Sequence, residues 1–181
     1  MLILCATKTE AAPIIEALQM RQTARTPYSL FANEEHRLIV TGIGSIAAAA
    51  ACGYALAQKE EPLCNIGYAA GNEIGKLYNV SKIIDARSHK VYHLPKSEHL
   101  PNAVCTTLPH PVAKKLATLA DMEASAIVAV AKRFKLPCTI YKIVSDTYTP
   151  DACPHDSRLI ERHIDTILSE ISLQSAKFPK G

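Results

Sequence analysis

Three acidic side chains lie at the edges of apolar segments, where they could do chemistry. Glu10 follows an apolar run at the N-terminus, Glu123 stands at the start of an apolar helical stretch, and Asp146 follows the last apolar strand-like run. Burial of a carboxylate without a partner costs on the order of several kcal/mol, so we expect these acids to share one polar cleft. Carboxyl groups in such a cleft can act as general acids or bases, and they can accept hydrogen bonds from hydroxyl groups.

A glycine-rich turn is the second candidate site. Residues Gly42–Ala47 read GIGSIA, which fits the G-x-G-x-x-A form of a dinucleotide-binding turn, with Glu60 or Glu61 at a tolerable distance for a ribose contact. That fingerprint usually opens the first strand-helix-strand unit, whereas a strand and a helix precede it here. The pattern itself indicates a close backbone approach and a helix N-terminus that favours an anion or a hydroxyl-rich group. A dinucleotide-dependent oxidoreductase and a tight turn without a ligand stay open as alternatives.

Short apolar runs alternate with alanine-rich stretches, and this alternation predicts the elements that position those residues. The predicted strands are Leu2–Ala6, Arg37–Thr41, Cys64–Tyr68, Val80–Asp85, Asn102–Thr107 and Thr139–Val144. The predicted helices are Thr9–Met20, capped by Thr9, then Ser45–Gln58, Asp121–Phe134 and Asp156–Ser172. This order predicts an α/β fold, a three-layer αβα domain with a central mixed, mostly parallel sheet. In such sheets ligands bind beyond the carboxyl ends of the strands, which is where the acids and the glycine turn fall.

Length, composition and charge narrow the classes of protein to which this chain can belong. The 181 residues, of which 48% are hydrophobic, are enough for one core, so we expect a single domain over residues 1–181. A net charge of +3 favours neither a nucleic-acid nor a membrane partner. The longest apolar run, Ile46–Cys52, is far shorter than the ~20 residues of a membrane span. No basic segment precedes the apolar N-terminal run, as a signal peptide would require.

The cysteines and histidines indicate neither disulfides nor a metal. The six cysteines are scattered without a C-x-x-C pair, Cys153 among them, so we interpret them as reduced thiols in a cytoplasmic protein. His89, His93 and His99 share a polar stretch without a fourth partner at metal-like spacing, and we interpret them as solvated loop residues. We therefore expect no metal and no cofactor.

Two segments in the C-terminal half resemble a known family. Residues 120–127 read ADMEASAI and residues 134–146 read FKLPCTIYKIVSD. Together they resemble the Met-Glu-Ala and Ser-Asp signature of the nucleoside phosphorylase and nucleosidase family, and most closely its methylthioadenosine/S-adenosylhomocysteine nucleosidase branch. Further matches, in the same order from residue 1 to about residue 151, are Ala6 with Glu10, Thr41–Gly44 and Gly67–Gly71. Residues 86–120 match poorly and are predicted to form a shortened flap that shapes the base pocket.

The resemblance implies a purine nucleoside phosphorylase-like fold and an enzyme that cleaves an N-glycosidic bond. It implies that Asp146, supported by Ser145, protonates the purine at N7 as the base leaves. Because cleavage puts negative charge on the base and positive charge on the sugar, an acid at the base and a carboxylate near the ribose suit the reaction.

The resemblance also implies the groups that meet the sugar and the attacking water. Glu123 binds the ribose diol and Met122 packs against the sugar, because two adjacent hydroxyls can donate to the two oxygens of one carboxylate. Glu10 activates the water, and Lys142 stands where the family usually has an arginine near that water, without the arginine's bidentate fork. The other residues expected to bind substrate are Gly42, Ile43, Gly44, Tyr68 and Ala69. A homodimer is likewise expected by resemblance.

The chain departs from the family pattern around the base and the sugar. Tyr68 stands where the nucleosidases carry a serine, and Ala70 replaces a glycine. The strand that normally brings an aromatic ring to the adenine corresponds to Val104–Pro109, which has none, so His110 is the ring expected to substitute. The identity of the base and of the 5′-substituent therefore stays open.

Hydrolysis is expected over phosphorolysis because of the phosphate ligands. Phosphorylases of this family place arginines near the first glycine turn and near the strand that corresponds to Val80–Asp85. This chain has Lys8 and Lys82 there, and Arg87 lies beyond the strand. The expected substrate is thus a purine nucleoside or a 5′-modified adenosine of the methylthioadenosine, S-adenosylhomocysteine or futalosine type. A phosphorylase and a nucleoside-binding homologue without turnover are the alternatives.

Overall fold

The computed structural model of the protein describes residues 1–149 and 158–177. The start of the predicted fourth helix and Cys153 lie outside the described residues. The strands are β1 (Leu2–Cys5), β2 (Arg21–Ala24), β3 (Ser29–Ala32), β4 (Arg37–Val40), β5 (Leu63–Ala70), β6 (Leu77–Asp85), β7 (Val91–His93), β8 (Asn102–Thr107), β9 (Leu119–Asp121) and β10 (Cys138–Asp146). The helices are α1 (Lys8–Ala17), α2 (Ser45–Gln58), α3 (Ala124–Phe134), α4 (Arg158–Glu161) and α5 (Ile164–Lys177).

The strands form one mixed sheet, in the order β10-β6-β8-β9-β5-β1-β4-β3-β2, with β7 paired to β6. An additional pairing of β10 with β5 closes the strands β5, β9, β8, β6 and β10 into a ring. The long strands β5 and β10 pair in parallel from Cys138 opposite Leu63 to Asp146 opposite Ala70. Their carboxyl ends therefore lie side by side at one edge of the sheet.

The mixed α/β fold predicted from the sequence is confirmed, but the mostly parallel sheet is not. Within the described part of the chain, five strand pairings are parallel and five are antiparallel. Four of these antiparallel pairings involve the hairpin β2–β3 or the short strands β7 and β9, which the sequence pattern does not reveal, and the fifth joins the predicted strands β6 and β10. β2 reads RQTA and is largely exposed, so it lacks the apolar alternation that marks a half-buried strand.

Two predicted boundaries also change. The first helix starts at Lys8 and its N-cap is Thr7, not Thr9; the Thr7 hydroxyl accepts from the backbone N–H of Glu10. The predicted helix 121–134 starts three residues later: Asp121 ends β9, Met122 and Glu123 form the turn, and α3 begins at Ala124. The segment 86–120, predicted to form a flap, contains β7, which pairs antiparallel with β6.

Two clusters of buried apolar side chains hold the helices to the sheet. Helices α2 and α3 pack against each other in the first cluster through small residues. These include Ala48, Ala51, Ala55, Ala124 and Ala131. Helices α1, α4 and α5 contribute to the second cluster, with Ile14, Ile160, Ile167 and Ile171. The N-termini of α1 and α3 are thereby fixed at the sheet, which positions the acids they carry.

Two further observations concern the described residues as a set. Within them, the helices are all too short or too polar to cross a bilayer. The cysteines described, which are Cys5, Cys52, Cys64, Cys105 and Cys138, are free thiols and buried, and burial raises the pKa of each of them.

Candidate active site

A cavity of about 440 Å³ opens at the carboxyl ends of β1, β5 and β10. Four acids line it, Glu10, Asp121, Glu123 and Asp146. Among the residues that the structure describes, no lysine or arginine lines this cavity. The three acids singled out in the sequence thus meet at one site, and Asp121 joins them.

Glu10 is held at the start of α1 by backbone hydrogen bonds. Its Oε2 accepts from the N–H of Thr7 at 2.9 Å, which completes a capping box, and its Oε1 accepts from the N–H of Tyr68 at 3.0 Å. Gly67 allows this approach, because a Cβ there would lie 3.0 Å from Oε1. The carboxylate is 5% exposed and is fixed to both the β1–α1 turn and strand β5, facing the cavity.

Glu123 precedes α3 and reaches across to the glycine turn. The N–H of Gly44 donates to its Oε1 at 2.7 Å, and the hydroxyl of Ser45 donates to the carbonyl of Met122 at 2.8 Å. Gly44 has φ +96°, a left-handed conformation that glycine adopts without a Cβ penalty. The glycine turn is therefore bonded to the acid that shares its site.

A buried ion pair lies beside Glu123. Lys142 Nζ is 2.9 Å from Oδ2 of Asp121, and both side chains are almost fully buried. Asp121 Oδ2 also accepts from the N–H of Ala124 at 2.8 Å, and its Oδ1 accepts from the hydroxyl of Thr107 at 2.7 Å. Both oxygens of this acid are occupied, so its charge is fully partnered inside the protein.

The charges of this group perturb one another. The pKa of Glu123 is raised to about 7: burial is the largest cause and the carboxylates of Asp121 and Glu10 add to it, whereas Lys142 and the Gly44 N–H oppose it. Burial alone would lower the pKa of Lys142, but the carboxylates of Asp121 and Glu123 hold it above its ordinary value. The folded protein therefore favours the protonated form of Glu123 more than the unfolded chain does.

Asp146 ends β10 and is only half-buried. The hydroxyl of Ser145 donates to its Oδ2 at 3.0 Å, and the N–H of Thr149 donates to its Oδ1 at 3.2 Å. The same Ser145 hydroxyl lies 3.5 Å from the carbonyl of Ala69. Asp146 thus faces the cavity, with a serine that orients its carboxyl group.

The remaining wall is apolar and carries rings. Leu108, His110, Pro111 and Val112 line the cavity from the stretch between β8 and β9. Tyr148 lines it as well and is 4% exposed. Its hydroxyl group is a hydrogen-bond donor shared between the carbonyl oxygens of Leu116, at 3.3 Å, and Thr118. The hydroxyl of Tyr148 thereby ties the far end of this stretch to the end of β10.

The predicted site residues fall into two groups. Ile43, Tyr68, Ala69, Met122 and Ser145 line the cavity together with the predicted acids. Gly42, Gly44 and Lys142 do not line it: the glycines shape the turn, with φ +85° at Gly42, and Lys142 is 1% exposed. Lys142 does not face the cavity, because Asp121 holds its ammonium group inside the protein; its expected contact with substrate stays a prediction.

Two residues of the site were missed. Asp121 adjoins the Met-Glu pair, and an acid two residues before an apolar helix is a usable capping signal. Tyr148 follows Asp146 by two positions and gives no such signal, because its ring reaches the cavity only through a left-handed turn, with φ +62°.

The dinucleotide interpretation does not fit the geometry. The N–H of Gly44 is bonded to Glu123, so it does not face a pyrophosphate. Glu61 precedes β5 and pairs with Arg37 and the amino group of Met1. These partners lie at the amino ends of the parallel strands β4 and β1, whereas the glycine turn lies at the carboxyl end. The glycine turn and Glu61, which a dinucleotide site would need close together, therefore lie at opposite edges of the sheet.

Comparison with solved structures identifies the fold. The chain aligns with the 5′-methylthioadenosine nucleosidase of Arabidopsis thaliana with a TM-score of 0.78 and 16% identity, over 94% of both chains. The methylthioadenosine/S-adenosylhomocysteine nucleosidase of Colwellia psychrerythraea 34H, solved with adenine, gives a TM-score of 0.78 at 15% identity over 93% of both chains. This protein has the nucleosidase fold. The futalosine hydrolase of Helicobacter pylori strain 26695 aligns equally well, with a TM-score of 0.78 and 15% identity over 93% of this chain and 97% of that one. No protein-family model and no curated sequence matches the chain. The fold expected from the resemblance is confirmed.

Proposed function

We propose that this protein is a nucleosidase that hydrolyses the N-glycosidic bond of a purine nucleoside or a 5′-modified adenosine and releases the free base. The observation that carries the proposal is the meeting of Glu10, Glu123 and Asp146 in one cavity at the strand ends. The neighbours of the same fold act on methylthioadenosine, S-adenosylhomocysteine or futalosine by their names, and we assign these substrates to this chain as candidates.

The proposed reaction divides among the three acids. Asp146, oriented by Ser145, gives a proton to N7 as the bond between C1′ and N9 breaks and its electrons pass to the base. Glu123 accepts hydrogen bonds from the two ribose hydroxyls, with Met122 beside the sugar. Glu10 takes a proton from the water whose oxygen forms the new bond to C1′. General acid–base catalysis of this kind contributes about 10²–10⁴ in rate.

Water is the proposed nucleophile because the cavity wall carries negative charge. Phosphate binding relies on lysine, arginine or a cluster of free N–H donors. The described lining has neither of those cations, and besides Asp121, which is paired with Lys142, it carries the acids Glu10, Glu123 and Asp146, so a phosphate ion would find no cation there and would meet carboxylates. A phosphorylase is therefore disfavoured, and we propose a cofactor-free and metal-free hydrolase.

Further proposals concern the base pocket, the layers of the fold and the assembly of the protein. Residues 86–120 are proposed to form a shortened base-pocket segment, which the cavity-lining positions of Leu108 and His110 support. We also propose a three-layer αβα arrangement, supported by the two separate core clusters. A homodimer in the cytoplasm, with a small-molecule nucleoside as its partner and no nucleic acid or membrane, completes the proposal.

A release assay tests the proposed function. The protein is incubated with methylthioadenosine, S-adenosylhomocysteine, futalosine and inosine, with and without phosphate, and free base is measured. Release without phosphate is the expected result. Release only with phosphate would identify a phosphorylase, and saturable binding without release would identify a homologue that has lost turnover.

A further inference from the structure

Glu123 occupies the N-cap position of α3 but does not cap that helix. An acidic N-cap side chain normally accepts from an N–H of the first turn of its own helix. Here Glu123 makes no such bond, and Asp121 takes the role by accepting from the N–H of Ala124 at 2.8 Å and that of Glu123 at 3.3 Å. The carboxylate of Glu123 is thereby free to turn to Gly44 and the cavity.

Lys142 fixes Asp121 in this capping position. Its Nζ lies 2.9 Å from the same oxygen that accepts from α3, while Thr107 holds the other oxygen at 2.7 Å. With the lysine 1% exposed and outside the cavity lining, its ammonium group is not available to a water at the sugar. Its effect on the cavity therefore passes through its neighbours.

Four charged groups from different elements face one another here. Glu123 is flanked by Asp121 from β9, Glu10 from α1 and Lys142 from β10, and the thiol of Cys105 from β8 lies beside the Asp121–Lys142 pair. One cation therefore faces three carboxylates. Because little water screens this buried group, a change of charge at either member of the pair acts strongly on Glu123.

We propose that Asp121 and Lys142 are positioning residues, which together set the orientation and the charge of the Glu123 carboxylate. Asp121 orients it by capping α3 in its place, and the two opposite charges act on it with opposite signs. The inference rests on the proposed function where it treats Glu123 as the ribose ligand. The charge coupling itself is a property of the folded protein and is measurable without turnover.

The test follows the Glu123 carboxyl group directly. Protein labelled with carbon-13 at the glutamate side-chain carboxyl is titrated by NMR, and the Glu123 signal is assigned by its loss in Glu123→Gln. In Asp121→Asn a like charge is removed, so the midpoint of the Glu123 titration should fall by about one pH unit or more. Adding Lys142→Met to Asp121→Asn removes the opposite charge and should move the midpoint back up.

The variants are chosen so that each buried charge keeps an opposite charge nearby: in Asp121→Asn, the ammonium group of Lys142 still faces the carboxylate of Glu123. Lys142→Met alone leaves Asp121 buried without a counter-charge, which costs about 3–5 kcal/mol, so the double variant replaces it. Lys142→Arg keeps the charge and should leave the midpoint close to that of the wild type. If the double variant does not fold, the two single variants Asp121→Asn and Lys142→Arg, measured separately, still test the proposal.

A matched control is the exposed pair Lys76–Glu73, which has the same 2.9 Å separation. Glu73→Gln should leave the Glu123 titration unchanged. If Asp121→Asn also leaves it unchanged in a folded protein, or if the double variant moves it further down, the proposal is wrong.

Activity separates this inference from the proposed function. The Michaelis constant of the wild type for the nucleoside it cleaves should rise as the pH falls below about 7, and in Asp121→Asn that rise should begin at lower pH. If base is released but the Glu123 titration does not respond to Asp121→Asn, the inference fails and the proposed function stands. If the titration responds but no nucleoside is cleaved, the proposed function fails and the charge coupling stands.

Discussion

The two sides of the cavity are built in different ways. On the side of Glu10 and Glu123, each acid stands at the start of a helix and is held by N–H donors from a second segment of the chain. On the other side, Asp146 is half-buried, and the wall is an irregular stretch tied down by the hydroxyl of Tyr148. The first side is fixed by backbone geometry, the second by a few side chains.

This difference separates chemistry from substrate choice. Backbone donors hold a carboxylate within a narrow range of positions, as a reaction that transfers protons requires. An irregular stretch tolerates changes of length and side chain. We therefore expect substitutions on the first side to lower the turnover rate and those in the irregular wall to alter substrate binding. Asp146 is proposed to take part in the chemistry although it lies on the less rigid side, so variants at this position are the most demanding test of the division.

Asp146→Asn should have the largest effect. The amide cannot deliver the proton to N7, so we expect the turnover rate to fall toward the upper part of the ~10²–10⁴ range of general acid catalysis. Nucleoside binding should survive. Steady-state base release and a binding titration measure the two, with the exposed Asp165→Asn on α5 as control. Turnover near the wild-type rate would remove Asp146 from the mechanism.

Glu10→Gln should have the second largest effect, in the lower part of that range. The amide cannot take the proton of the attacking water, and its NH₂ group would also oppose an N–H of Thr7 or Tyr68. The exposed Glu16→Gln on the same helix is the matched control for helix stability. If Glu10→Gln releases the purine as fast as Glu16→Gln does, Glu10 is not the general base.

The pH dependence is the third prediction. Only the carboxylate form of Glu123 accepts from both ribose hydroxyls, so binding should weaken by up to tenfold for each pH unit below about 7. Because the pKa is raised in the folded protein, folding favours the protonated acid. Stability should therefore decline as the pH rises from the ordinary glutamate pKa toward 7. Denaturant unfolding of wild type and Glu123→Gln at several pH values checks this, since the glutamine should remove that part of the slope.

Tyr148→Phe should have the smallest effect. It removes the hydroxyl that holds the carbonyls of Leu116 and Thr118, at a cost of about 1 kcal/mol in unfolding free energy. The Michaelis constant should rise a few-fold with little change in turnover, because the wall loosens while the acids keep their places. Tyr54→Phe is the control. A large loss of turnover in Tyr148→Phe would break the division between the two sides.

The sequence predicted the regular elements best where their residues are uniformly apolar or alanine-rich. The alanine-rich helix α2 has the predicted boundaries, because a continuous pattern of this kind allows one conformation to bury it, and strand β8, which reads NAVCTT, has them as well. The polar hairpin β2–β3 and the three-residue β9 exist only through their partner strands, and no local pattern records a partner. The acids were predicted as site candidates because a carboxylate buried beside an apolar element costs free energy unless it has a partner.

The sequence could not predict how the charged side chains pair. Lys142 was expected at the substrate because its position follows the family pattern, yet Asp121 takes it, and that choice depends on β9 and β10 meeting in space. The approach of Tyr148 to Thr118 likewise joins residues that are 30 positions apart.

The hydrogen bond from Gly44 to Glu123 joins residues 79 positions apart in the chain. Contacts of such long range form late, since the intervening chain must first be ordered. The Glu123 carboxylate thus has no defined place in any fragment or partly folded state that lacks either half. Recovery of base release during refolding should accordingly lag behind recovery of helix signal, and activity becomes a reporter of the finished fold.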